Sequence, residues 1–135
     1  MAMQSVGGCL CGAVRFEIVG EFEAFFLCHC ERCRKGTGSA HAANLFSATA
    51  RLVWLAGEEH ARLYNLPSTR HCKAFCSHCG SALPYQRASS GGLVVPAGSL
   101  ESDVSIAPTA HIFDASKAAW EDGLAAAPRF DTFPR

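Results

Sequence analysis

The sequence predicts a mainly β fold of several antiparallel strands with little helix. Short apolar runs recur along the chain and are separated by turns rich in Gly, Pro or Ser. Only one segment, 116–127, has the composition of a longer helix. With 135 residues, 49% of them hydrophobic, and a formal net charge of zero, the chain is long enough for a real core. We therefore expect a single domain spanning 1–135.

Most predicted strands are short apolar runs, some with alternating polar residues, that lie between turn signals. In chain order they are 14–19, 25–27, 41–46, 52–55, 61–66, 82–85 and 93–95, whereas 72–75 leads into the last cysteine pair. The fourth and fifth are joined at 57–59, and the last two flank the flexible turn 88–92.

Two segments favour helix. The polar stretch between Cys30 and Gly38 predicts one helical turn that Gly36 or Gly38 closes. Segment 116–127 is alanine-rich and begins after a capping Asp114 or Ser116, although a glycine interrupts it and a proline follows it. The tail 128–135 is expected to be extended.

Seven of the eight cysteines fall into three tight groups, and Cys72 stands apart. Such close spacings rarely suit disulfides but allow neighbouring thiolates to bind one ion. The groups are Cys9 with Cys11, then Cys28 with Cys30 and Cys33, then Cys76 with Cys79.

The first and last groups together supply four thiolates, the full set of a closed structural zinc site. Cys9, Cys11, Cys76 and Cys79 are the predicted ligands. A glycine follows each pair and can take a positive φ, which lets backbone N–H groups turn toward a thiolate. This zinc would tie distant parts of the chain together.

The middle group predicts a second zinc with a free coordination position. Cys28, Cys30 and Cys33 supply only three thiolates. Three thiolates make zinc a weak Lewis acid but favour a further sulfur ligand, so a thiol substrate is more consistent with this site than hydrolysis. A thiol bound there would lose its proton near neutral pH.

Basic residues beside the middle group could hold carboxylates of such a thiol. They are Arg32, Arg34 and Lys35, and the alternative for each is a solvated basic turn.

A fourth protein ligand would instead make the second site closed and purely structural. Cys72, or a histidine, is the candidate for that ligand; Cys72 could equally be a small buried side chain beside the first site. Each of the six histidines is interpreted as an ordinary surface or core residue.

At these residues the chain resembles the glutathione-dependent formaldehyde-activating enzyme (Gfa) family, which includes centromere protein V. The resemblance covers nearly the whole chain, and its seven-cysteine pattern is highly specific. The matching segments are 8–16, 28–35 with 38–39, 75–80, 98–101, and 111–113 with Trp120.

The resemblance implies a β-tent, or zinc-binding complex-β, fold. It assigns the four-cysteine set to a structural zinc and the three-cysteine set to a second, catalytic zinc. The implied activity is carbon–sulfur lyase chemistry: formation of S-(hydroxymethyl)glutathione from glutathione and formaldehyde, or the reverse. Cys72 lies outside the family's pattern.

The net charge and the composition of the chain's segments restrict the classes of partner and the cellular compartment that we expect. A net charge of zero disfavours nucleic acid or an acidic membrane, which usually require a basic face. No apolar run approaches the roughly 20 residues that a membrane helix needs, and the start does not resemble a secretory signal. We expect a cytoplasmic location, where clustered cysteines serve as metal ligands.

The leading hypothesis is therefore a zinc enzyme, with two ions per chain, that acts on a thiol such as glutathione and a small aldehyde. Two alternatives remain: a carrier that binds glutathione or its adduct without turnover, and a structural zinc module that binds a protein or nucleic acid.

Overall fold

The computed structural model describes residues 3–134 and contains three antiparallel-rich β-sheets with one short α-helix. The strands, in chain order, are β1 (Gln4–Gly8), β2 (Arg15–Val19), β3 (Ala24–Cys28), β4 (Ala42–Ser47), β5 (Arg51–Ala56), β6 (Ala61–Asn65), β7 (Cys72–Cys76), β8 (Ala82–Leu83), β9 (Tyr85–Gln86), β10 (Leu93–Pro96) and β11 (Ala110–Ile112). The helix α1 spans Glu31–Thr37. The predicted mainly β class is confirmed.

The strands form sheets in the orders β1-β2-β5, β11-β3-β4-β10-β9 and β6-β7-β8. All pairings are antiparallel except that of β11 with β3, which is parallel. No helix within residues 3–134 is long and apolar enough to cross a membrane.

The core lies where apolar side chains of the three sheets meet. Alternation along β2 buries Phe16 and Ile18 completely, as a half-buried strand requires. Phe16 packs edge-on against Trp54 of β5, with ring centroids 6.2 Å apart. Leu45 of β4 and Leu83 of β8 are equally inaccessible, so each sheet contributes to one apolar cluster.

Most strands expected from an apolar run occur, with bounds shifted by a residue or two. The one expected at 82–85 is instead divided into β8 and β9, which belong to different sheets. The strands predicted at 52–55 and 61–66 belong to different sheets, and a 3₁₀ turn, Glu58–His60, connects them. Three observed strands were not predicted from the sequence, and one of them is β7, which forms where 72–75 leads into the last cysteine pair. β1 contains the weak sequence Gln-Ser-Val-Gly-Gly and is held by its pairing with β2, and β11 is held by β3.

The expected helix at 116–127 is wrong. Two 3₁₀ segments, Asp114–Ser116 and Glu121–Ala126, occupy this part of the chain. In this part of the chain Ala118 is the only buried residue, and Glu121 is partly buried. A short alanine-rich segment that contains a glycine and buries almost no apolar face is a marginal helix. The predicted turn before Gly38 is present as α1, whose C-cap, Gly38, has φ 66°.

Candidate metal centres

Cys9, Cys11, Cys76 and Cys79 come together although the two pairs lie far apart in sequence. Their four Sγ atoms all lie within 4.8 Å of one another. The Cys9–Cys11 and Cys11–Cys76 sulfur separations are 3.5 and 4.0 Å. Sulfurs at the corners of a tetrahedron with Zn–S bonds of about 2.3 Å lie about 3.8 Å apart. The four thiols therefore fit a zinc ion in closed geometry.

The turns that carry these thiols have the predicted backbone. Gly12 and Gly80 have φ values of 81° and 77°, in the left-handed region that favours glycine. Backbone N–H groups of Val14 and His78 lie 3.2 and 3.4 Å from the sulfurs of Cys9 and Cys76. Such N–H groups offset the negative charge that a set of thiolates gathers.

Ser81 links the two turns. Its hydroxyl accepts a hydrogen bond from the backbone N–H of Leu10 at 2.9 Å and lies 3.1 Å from Cys79 Sγ. Hydrogen bonds from the Ser81 side chain and then from the backbone of Cys11 lower the pKa of Cys79 to about 5. A thiol that ionises this readily is suited to metal binding. The cluster joins β1 of one sheet to β7 of another.

The second cluster consists of Cys28, Cys30 and Cys33, whose Sγ atoms also lie within 4.8 Å of one another. Cys28 ends β3, and Cys30 is the N-cap of α1, where its sulfur accepts a hydrogen bond from the backbone N–H of Cys33 at 3.4 Å. The first turn of α1 thus points the third sulfur back at the other two. Burial raises the pKa of Cys28 and of Cys33.

Neither Cys72 nor a histidine belongs to this second thiol group in residues 3–134. Cys72, at the start of β7, lies instead on the wall of the pocket into which the three cysteines open. The predicted separation between a four-thiol and a three-thiol cluster is therefore present in the geometry.

The pocket beside the three-thiol cluster has a volume of about 700 Å³. Its charged lining side chains are cationic: Arg32, Arg70, Lys73 and Arg87. No Asp or Glu occurs among the described residues that line it. Arg70 and Lys73 come from the loop and strand around Cys72, a contribution that the sequence did not reveal because this segment is distant from the thiols along the chain.

Of the three basic residues predicted beside the thiols, Arg32 lines the pocket whereas Arg34 and Lys35 are not among its lining residues. Lys35 is largely exposed and lies 3.9 Å from Glu31, one helical turn away. A helix turns by about 100° per residue, so neighbouring positions on α1 face different directions.

Tyr85, on β9, is part of the same pocket wall. Burial, together with the nearby thiols of Cys72 and Cys33, raises the pKa of its hydroxyl. The phenol therefore keeps its proton at neutral pH. No sequence pattern indicated this proton donor, since Tyr85 is distant along the chain from Cys28, Cys30 and Cys33.

Three histidines, each interpreted from the sequence as an ordinary surface or core residue, also come together. His29 is fully buried, its ring stacks on that of His111 with centroids 5.0 Å apart, and His41 lies edge-on at 5.3 Å. None of them lines the pocket. No sequence signal links them, because strand pairing rather than spacing brings them together.

The fold and these clusters define a class: a mainly β protein with two separate cysteine clusters, each of which could hold a metal ion. The chain belongs to the glutathione-dependent formaldehyde-activating enzyme family, whose sequence model matches residues 4–116.

Known proteins similar to it include a curated relative and a solved structure. A protein of Halomonas elongata, provisionally named a glutathione-dependent formaldehyde-activating enzyme, is 39% identical over 85 residues, which cover 57% of this chain and 52% of that protein. The chain thus spans about half the length of this curated relative. A crystal structure of a Rhodobacter sphaeroides protein matches with a TM-score of 0.54 and 26% identity over 78% of this chain and 98% of that one.

Proposed function

We propose that residues 1–135 form one Gfa-like domain of β-tent fold that binds two zinc ions and acts as a carbon–sulfur lyase. In this proposal the enzyme forms or breaks the S-hydroxymethyl adduct of a thiol, glutathione, and a small aldehyde, formaldehyde. The main observation behind this proposal is the pocket, which is lined by the three thiols and by charged side chains that are all cationic. The family membership supports the same chemistry.

The ligand assignments follow the two clusters. Cys9, Cys11, Cys76 and Cys79 would hold a structural zinc, and Cys28, Cys30 and Cys33 a second one. Zinc held by three thiolates would supply a soft centre that favours a further sulfur and lowers the pKa of a thiol bound to it.

The cationic side chains bind and orient the thiol substrate. Glutathione carries two carboxylates, and Arg32, Arg70 and Lys73 provide donors for them around the thiol cluster. A volume of about 700 Å³ is in the usual range for small-molecule sites. The absence of acidic side chains from the described lining means that no like charge opposes an anionic ligand.

The reaction itself requires one proton to leave sulfur and one to reach oxygen. The substrate sulfur forms a bond to the carbonyl carbon, the C=O π electrons move to oxygen, and that oxygen takes up a proton. Tyr85 is the proton donor that we assign, because its hydroxyl shares the pocket and stays protonated. The proton that leaves sulfur passes to solvent, and solvent restores the Tyr85 phenol after the transfer, so that the reverse reaction runs through the same steps backwards.

The test is the rate of thiol–formaldehyde exchange measured by NMR with glutathione. The purified protein should accelerate exchange above the uncatalysed rate, and a zinc-depleted sample should not. Equal exchange rates in both samples would contradict the proposal that the protein is a zinc-dependent enzyme. Saturable glutathione binding without acceleration would point to the carrier alternative.

A paired substitution tests the pocket. Arg32→Ala should raise the KM for glutathione by roughly two- to fivefold, as expected for an exposed charge pair worth about 0.4–1 kcal/mol. Arg51→Ala, which removes an exposed cation on β5 outside the pocket, should leave that KM unchanged. The same KM shift in both variants would show that only overall charge matters.

A further inference from the structure

The register of the five-stranded sheet gathers three histidines at one end of β3. Cys28, the last residue of β3, pairs with a residue of β4 on one side and of β11 on the other. The next residue, His29, lies beside His41, which precedes β4, and its ring also contacts His111, which is one residue before the β11 partner of Cys28. The 3₁₀ segment that begins at Glu121 covers the same end and adds a carboxylate.

Three of these side chains have the spacing of metal ligands. One ring nitrogen each of His29 and His41 and one carboxylate oxygen of Glu121 lie within 4.8 Å of one another. His29 is fully buried, and the Glu121 side chain is only 13% exposed. Imidazole and carboxylate are ligands of divalent ions such as Zn²⁺.

The same three residues contain buried polar atoms without a partner in the protein. Nδ1 of His29, Nδ1 of His41 and Oε2 of Glu121 are inaccessible and make no hydrogen bond to the protein. A buried polar atom that stays unpaired destabilises the fold, because it has lost its hydrogen bonds to water. Three of them in one cluster point to a shared ligand that satisfies the cluster as a whole.

The distances between the side chains distinguish residues that could bind an ion from residues that orient those ligands. His29 Nε2 lies 2.8 Å from His111 Nδ1, a hydrogen-bond length. Two nitrogens on one tetrahedral zinc lie about 3.3 Å apart, so this pair is better explained as a hydrogen bond that orients the His29 ring. Because His111 engages Nε2, the unpartnered Nδ1 is the nitrogen of His29 that remains for an ion.

Charge favours a cation over a neutral occupant. Within residues 3–134 Glu121 forms no salt bridge with Lys or Arg, so its largely buried carboxylate has no fixed positive partner. Burial, and then the neighbouring His29, lowers the pKa of His41, whose ring therefore stays in the neutral form that binds metals.

We propose that His29, His41 and Glu121 form a third metal site, of the open three-ligand type, that takes a divalent ion of the Zn²⁺ class. The site is separate from the two cysteine clusters in its ligands and does not depend on the proposed enzymatic activity. It ties the segment that carries the three thiols to the Glu121–Ala126 segment.

Metal titration of the full chain with Zn²⁺ and with Co²⁺ tests the proposal. The wild type should bind three equivalents. The third equivalent of Co²⁺ should add visible d–d absorption without further sulfur-to-cobalt charge-transfer absorption, because its ligands are nitrogen and oxygen. The absence of any equivalent of Co²⁺ that adds d–d absorption without charge-transfer absorption would overturn the proposal and leave the unpaired atoms to a buried water.

Variants locate the site. His41→Ala and Glu121→Ala should each bind two equivalents and keep the full charge-transfer band, which reports that both cysteine clusters are intact. His60→Ala removes a histidine that stacks on His78 elsewhere and should keep three equivalents. Three equivalents in both His41→Ala and Glu121→Ala would overturn the assignment. If either variant loses its charge-transfer band, its cysteine clusters are no longer intact. The wild-type cobalt spectrum then determines by itself whether the third site exists.

Discussion

Asn65 donates a hydrogen bond from Nδ2 to the sulfur of Cys72 across 3.1 Å, at the point where β6 and β7 pair. This bond holds Cys72 at the pocket wall, outside the group of three mutually close thiols. Cys72 is therefore not placed to complete the ligand set of the second cluster.

Replacing Cys72 with serine should leave metal content unchanged at both cysteine clusters, because a hydroxyl can still accept from Asn65. The measurement is zinc per chain by elemental analysis. Cys33→Ser is the control that should lose one equivalent. Loss of an ion in Cys72→Ser would instead show a closed second site and remove the basis for substrate binding there.

The two cysteine clusters should differ in what they do for stability. Cys76 is 1% exposed and belongs to the apolar core, and its cluster connects two sheets. Structural zinc sites are worth on the order of 10–16 kcal/mol, comparable with the whole stability of a small domain. Cys76→Ala should therefore lose its ion and the fold.

Cys28→Ala is the matched comparison, since its cluster spans only the end of β3 and the start of α1. It should lose one ion and remain folded. Circular dichroism beside zinc analysis distinguishes the two results. An equal collapse of both variants would contradict the division between a structural and a reactive site.

The parts of this site that are close in sequence were predictable, and the parts assembled by strand pairing were not. The Cys-x-Cys and Cys-x-x-Cys spacings indicate convergent sulfurs because a single turn brings such neighbours together. By contrast, Arg70 reaches the pocket through the loop before β7, and His111 reaches His29 through the parallel pairing of β11 with β3. The β11 sequence Ala-His-Ile is too short to predict a strand.

Gly57 should be among the least replaceable glycines. Its φ is 74°, and a Cβ built there would lie 2.0 Å from the carbonyl oxygen of Ala13. Gly91 has nearly the same φ, 72°, with open space around it. Each change to alanine should cost about 1–2 kcal/mol for the left-handed backbone.

The clash at Gly57 should add a further cost of about 1–3 kcal/mol, as overpacking does. Gly57→Ala should thus lower the free energy of unfolding clearly more than Gly91→Ala, measured by chemical denaturation of both variants. Equal losses would mean that the Gly57–Ala13 approach relaxes without strain.

Tyr85→Phe tests the assigned proton donor. Removing one hydroxyl that acts only in the transition state should lower kcat for thiol–formaldehyde exchange by about 10²–10⁴-fold, the usual contribution of a general acid, while the KM for glutathione changes little. Zinc content and circular dichroism serve as controls for an intact pocket. An unchanged kcat would assign the proton to solvent.

The pair of Arg15 and Glu101 gives the fold a pH-dependent contribution. The two side chains form a salt bridge between β2 and the segment after Leu100, with Arg15 Nη2 3.2 Å from Glu101 Oε1. The hydrogen bond from Arg15, and then its charge, lowers the pKa of Glu101. A carboxyl with a lowered folded-state pKa stabilises the fold above its unfolded-state pKa, about 4.3, and loses that contribution as pH falls through the folded-state value.

Glu101→Gln removes this ionisation, so the wild type should be slightly more stable than the variant at pH 7 and the gap should close in acid. The difference between the two proteins isolates Glu101, because loss of metal from the thiolates in acid affects both alike. Because both partners are partly exposed, the gap should also shrink in high salt. Denaturation curves at a series of pH values measure it, and a gap that widens as pH falls would contradict the lowered pKa.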